Sequence, residues 1–90
     1  MVETWGEDAQ IETCIEEMSE LTQALCKYKR FKRLTEQNKE KLNQNLENVK
    51  EEIADVLNMV YQMAYIFGEN DINTIRAEKV TRTMKRLLQH

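Results

Sequence analysis

Four carboxylates carry the chemistry that this sequence offers. Glu17 and Glu20 stand three residues apart in "IEEMSEL", residues 15–21, and Glu52 and Asp55 stand three apart in "KEEIADVL", residues 50–57. On a helix, residues i and i+3 lie one turn apart and their side chains converge. A helical wheel at about 100° per residue sets Glu17 at the border of an apolar arc, beside Leu21 and Tyr28. The same wheel puts Glu52 between Met59 and Met63, and Asp55 near Met59 and Ile66 at the edge of that sector. An ionised carboxylate facing a core is costly unless it is paired or binds a metal. No base of the same helix falls on the Glu52 side.

If the two helices pack antiparallel, the two acid pairs can face each other. Oxygen donors with no nearby histidine suit a hard cation, Mg²⁺ or alternatively Mn²⁺. The only histidine is His90, so the Glu-x-x-His motif of di-iron bundles is missing. That argues against a di-iron oxidase. A structural alternative stays open: E-x-x-E is frequent on solvated helix faces, and Glu52 could pair with a Lys or Arg of a third helix.

The elements that must position these acids read as helices. The 90 residues contain no proline and two glycines, and they are rich in Glu, Lys, Leu, Gln and Met, which are good helix formers. A first helix is expected from about Thr4, where Thr4 and Glu7 have capping-box spacing. Ile11, Cys14, Ile15, Met18, Leu21, Leu25 and Tyr28 then recur at helical spacing until the basic run "KYKRFKR". Residues 34–46, polar and Asn-rich, read as a loop with at most one short helix.

A second helix is expected from about Asn45 to Phe67, with Gly68 as the residue that ends it. Its apolar residues, from Val49 through Ile53, Leu57, Val60 and Met63 to Phe67, cover more than half its circumference, which marks a central helix touching several neighbours. A third helix is expected from an Asn70 or Asp71 N-cap to about Leu88. The fold class is therefore all-α: one domain over residues 1–90, with three main helices per chain. A chain this small buries only about 60–65% of its unfolded surface, and three helices do not close a four-helix bundle alone. Oligomerisation, as a dimer or tetramer, is expected to complete it.

The paired stretches "IEEMSELTQAL" and "EEIADVLNMV" resemble the MazG-like, all-α nucleoside triphosphate pyrophosphohydrolases, whose signature is E-E-x-x-E on one helix and E-x-x-D on the next. The likeness covers the first two helices well and the third loosely. It implies that Glu17, Glu20, Glu52 and Asp55 hold Mg²⁺ on a nucleoside triphosphate, which is hydrolysed to the monophosphate and pyrophosphate. It does not specify the substrate, because the superfamily also includes dimeric dUTPases and phosphoribosyl-ATP pyrophosphohydrolases.

Water is then the expected attacker, and Glu16 or Glu51 could accept its proton, although both also fit a plain solvated face. Family members carry a Lys and an Arg on the third helix, and Lys79 and Arg82 match best as a phosphate clamp, with Arg86 as an alternative register. Trp5 and Tyr61 are candidates for base stacking or for packing contacts. Asn58, one turn beyond Asp55, could bond a sugar or a phosphate, or a neighbouring helix.

Net charge is −3, with 16 acids against 13 bases, which argues against an obligate nucleic-acid binder. The basic run at residues 27–33 is the one stretch that could touch RNA. Cys14 and Cys26 fall on one helix about 18 Å apart, too far to bridge. Free thiols point to a reducing, cytoplasmic setting. The acidic N-terminus has no signal-peptide pattern, and the apolar run from Val56 to Phe67 is too short and too interrupted to span a bilayer. The alternative to an enzyme is a non-catalytic helical module that oligomerises or binds a partner.

Overall fold

The computed structural model describes residues 4–33 and 39–89, the side chains of Thr4 and Trp5 excepted. Three helices account for them: α1, Thr4–Arg33; α2, Lys39–Phe67; and α3, Glu69–Leu88. No strand occurs among the described residues. The expected Thr4–Glu7 capping box involves a side chain outside the described residues.

Helix α1 ends where the basic run suggests, with Arg30, Lys32 and Arg33 in its last turn, where cations oppose the helix dipole favourably. Four helical threonines, Thr13, Thr22, Thr74 and Thr81, satisfy their hydroxyls by donating to the carbonyl four residues back.

Helix α2 departs from expectation. It begins at Lys39 rather than near Asn45, so residues 39–46 are helical and not loop. The cause is tertiary. Leu42, Asn45 and Val49 continue a row of 3 and 4 spacings, and they are half-buried or buried. Lys41 reinforces the same region by setting its Nζ 4.9 Å from the centre of the Phe31 ring of α1. Packing on α1 supplies what local propensity does not.

Most packing in the chain is α1 against α2. The short connection between them requires an antiparallel hairpin. The seam is regular on both sides. From α1 come Cys14, Glu17, Leu21, Ala24, Tyr28 and Phe31, and from α2 come Leu42, Asn45, Val49, Glu52, Val56, Met59, Met63 and Ile66. These intervals alternate between three and four, the pattern of helices meshing along a shared stripe. Among the described residues the buried hydrophobics are Cys14, Ala24 and Val49.

Gly68 both ends α2 and starts α3. Its φ of 115° lies in the left-handed region, its N–H donates to the Ala64 carbonyl at 2.9 Å, and its own carbonyl accepts from Ile72 N–H at 3.1 Å. The N-cap is therefore Gly68, with no side-chain cap, and neither Asn70 nor Asp71 fills that role. One glycine suffices because, without a Cβ, it takes up the left-handed conformation that ends one helix and starts the next within a single residue.

Helix α3 meets α2 only sparsely and buries no residue. The result is a flat body of 50 × 45 × 13 Å. Its radius of gyration is 17.5 Å, against about 12 Å for a compact domain of this length. No helix among the described residues is long and apolar enough to cross a membrane.

Candidate metal centre

Glu17 and Glu52 each occupy a regular position of the α1–α2 seam, where an apolar side chain would ordinarily mesh. Each is half-buried, and in each the Oε2 atom is out of solvent with no hydrogen-bond partner. Glu20, one turn along α1 from Glu17, is exposed at the edge of the seam. Glu17, Glu20 and Glu52 each offer a carboxylate oxygen, and these three oxygens all lie within 4.8 Å of one another.

Asp55 belongs to the same electrostatic neighbourhood, since its charge acts on both Glu17 and Glu52. It is exposed and is not one of the three acids whose oxygens converge. The antiparallel hairpin thus brings the two E-x-x-E/D pairs to one place.

The acids perturb one another as such a place requires. Desolvation in the seam, then the charges of Glu20, Asp55 and Glu52, hold the Glu17 carboxyl above the usual carboxylate range. Desolvation, then the charges of Glu20 and Asp55, do the same for Glu52, with the adjacent Glu20 carboxyl, placed to share a proton, and then the neighbouring Glu51 adding to the effect. No cation among the described residues pairs with them. Among the described residues the ion pair is Lys50 with Glu47 at 3.2 Å, on the exposed side of α2. Pairing of Glu52 with a base of α3, the structural alternative, does not occur.

The other candidates do not join the cluster. Glu16 is exposed and lies outside the three-acid group. Asn58 is exposed one turn past Asp55. Lys79 and Arg82 are exposed on α3. Arg82 borders a shallow surface depression with Ala77, Glu78, Thr81 and Lys85, formed by α3 alone. Counting about 1.5 Å per residue outward along α2 and α3 from Gly68, both cations lie tens of ångströms of helix from Glu52 within one chain. The Trp5 side chain is outside the described residues. Tyr61 is well exposed and borders a surface depression with Gln10, Gln62, Tyr65 and Ile66.

Asn45 was not singled out by sequence reasoning. Its Nδ2 is also out of solvent without a partner in the seam. The signal was present in the unbroken alternation of threes and fours from Leu42 to Ile66, which the Asn-rich composition of the region obscured.

No protein-family model, curated protein or solved structure matches this chain.

Proposed function

We propose that the chain is a MazG-like nucleotide pyrophosphohydrolase that hydrolyses (d)NTPs to (d)NMPs and pyrophosphate with Mg²⁺, assembled as a homo-oligomer. One observation carries this reading: three carboxylate oxygens converge within 4.8 Å without a cationic partner, two of the three acids being fixed in a helix seam. A packed hairpin has no structural need for acids at those positions, because burying unpartnered polar atoms destabilises the fold. The donor set fits a hard cation: all oxygen, negatively charged, and backed by two solvent-excluded oxygens awaiting a partner.

Glu17, Glu20 and Glu52 are the residues that would hold the ion, with Asp55 beside them. Bound there, Mg²⁺ supplies neutralisation of phosphate charge and a lowered pKa for water. Water attacks the α-phosphorus, and the bond from that phosphorus to the α–β bridging oxygen breaks. Glu51, exposed and electrostatically coupled to Glu52, accepts the proton of the water, with Glu16 as the second candidate. Asn58 on the same helix bonds the sugar or phosphate. Lys79 and Arg82, exposed on α3 and remote from the acids of their own chain, would add positive charge to the site from a second copy in the oligomer.

The test is pyrophosphate release from a panel of ribo- and deoxyribonucleoside triphosphates, with Mg²⁺, with Mn²⁺, and with chelator. Metal-dependent release from any of them supports the reading. Folded protein that releases none from the whole panel overturns it.

A second reading has its own observation. The chain exposes apolar rows on all three helices, as a non-catalytic oligomerisation or partner-binding module would. An absence of both turnover and any response of stability to Mg²⁺ favours that reading.

A further inference from the structure

Charge is unevenly spread along the chain. Residues 27–41 hold seven bases and two acids, and the remainder holds six bases and fourteen acids. The net charge of −3 therefore conceals a basic end, where α1 stops and α2 starts, on an acidic body.

Lys27, Lys29, Arg30, Lys32 and Arg33 occupy the last two turns of α1, and all are exposed. At about 100° per residue they form a collar around the helix. Lys27 and Lys32 stand about 70° to either side of the seam defined by Ala24, Tyr28 and Phe31, Lys29 and Arg30 about 130° to either side, and Arg33 opposite it. Lys39 and Lys41, exposed in the first turn of α2, extend the collar across the hairpin, and Lys41 closes it over the Phe31 ring.

Local electrostatics explains only part of this. The dipole of α1 favours cations in its last turn, but the N-terminus of α2 favours anions and disfavours Lys39 and Lys41. Within α1, Lys27 with Arg30, Lys29 with Lys32 and Lys29 with Arg33 are like charges three or four residues apart, an unfavourable spacing. Among the described residues none of the seven is in an ion pair, and the acid beside them is Glu40.

We propose that this collar binds the phosphate backbone of single-stranded nucleic acid.

The shape selects the ligand. Cations directed to every side of a helix about 10–12 Å across suit a flexible strand that can wrap it. A duplex, stiff over about 150 base pairs, or a flat lipid surface would reach one side only. Tyr28 and Phe31 are half-buried in the seam, so neither is free to anchor the end in a bilayer as an interfacial helix would require. Asn43 and Gln44, exposed one turn beyond Lys39, add side-chain amides that can bond sugar or phosphate.

The acidic body does not prevent binding. Glu20 is ten residues from Arg30, about 15 Å of helix, and the Debye length in 0.1 M salt is about 10 Å. The strand therefore meets the collar largely screened from the acid cluster, and the acids orient it toward the basic end.

Fluorescence anisotropy tests this with the full chain, chelator and a labelled single strand of about 20 nucleotides, at salt concentrations between about 50 and 200 mM. Chelator keeps any metal from drawing phosphate to the acids, so the result stands apart from the proposed hydrolysis. With about five cations on phosphates, the log–log slope of affinity against salt should be about −3.5, a loss of about a hundredfold over that range. Lys29→Gln, Arg33→Gln and Lys39→Gln, each checked for intact helical circular dichroism, should each make the slope shallower by about 0.7. Lys50→Gln and Lys85→Gln remove the same charge elsewhere and should leave the slope unchanged. No binding at the lowest salt, or an equal effect of Lys85→Gln and Lys39→Gln, overturns the site. Tighter retention of a duplex, of phosphatidylserine vesicles or of polyglutamate at equal charge overturns the choice of ligand.

Discussion

Mg²⁺ should raise the melting temperature of the wild-type protein, and Glu52→Gln should lose most of that gain. An ion that binds only the native state, present at a hundred times its Kd, stabilises by about 2.7 kcal/mol. In a chain of this length each kcal/mol moves Tm by about 4–8 °C, so the gain should be on the order of 10–20 °C. Glu52 should govern it because its carboxylate is one of three whose oxygens converge within 4.8 Å, and its Oε2 has no other partner. Glutamine keeps the size of the side chain and removes the charge, leaving Glu17 and Glu20 too few to hold the ion. Without metal the variant should melt above the wild type, because a desolvated like charge has been taken from the seam.

Glu47→Gln is the control. That acid sits on the exposed side of α2 against Lys50, where surface pairs contribute little, and the variant should retain the full metal gain. Thermal unfolding followed by circular dichroism, with millimolar Mg²⁺ and with chelator, measures all three proteins. An equal metal gain in Glu52→Gln and wild type would refute the assignment of Glu52, and no gain in the wild type would refute the metal centre.

Three further expectations follow from the same geometry. Glu17 and Glu52 bind protons more tightly folded than unfolded, so their destabilising effect is absent below the ordinary value of 4.5 and grows as pH rises through their raised values. The melting temperature of metal-free Glu52→Gln should therefore exceed that of the wild type by a margin that opens as pH rises above 4.5 and levels once the raised value of Glu52 is passed, and a margin independent of pH would sink the argument. Glu20→Gln and Asp55→Asn should keep helical circular dichroism while turnover falls by orders of magnitude, with a milder loss for Lys79→Ala; wild-type rates of pyrophosphate release in the two folded acid variants would refute the catalytic role. Gly68→Ala should cost about 1–2 kcal/mol in urea unfolding, the usual penalty of a left-handed backbone for a residue with a Cβ. Its Cβ would meet Asp71 only at ordinary contact distance, 3.6 Å, so a much larger loss would mean that the penalty is not conformational.

The helices themselves, the termination of α2 at Gly68, and the pairing of Glu17 with Glu20 and of Glu52 with Asp55 were legible in the sequence. All of these depend on interactions within one or two turns: helix propensity, the apolar period and side chains three residues apart. The inward placement of Glu52 was legible too, because it follows from the position of that residue between Met59 and Met63 on a single helix.

Other features needed the tertiary structure. Residues 39–46 are weak in local apolar signal, and only contact with the last turns of α1 makes them helix. Gly68 serves as the N-cap of α3 because one left-handed residue does the work of two caps, a geometry that no spacing of Asn70 or Asp71 reveals. The width of the apolar sector of α2 was visible in the sequence, but not its division into a seam against α1 and an open row a quarter turn away. That division depends on which helix packs where. The two acid pairs converge for the same reason: each is local, but their register across the hairpin is set by the meshing of side chains far apart in the chain.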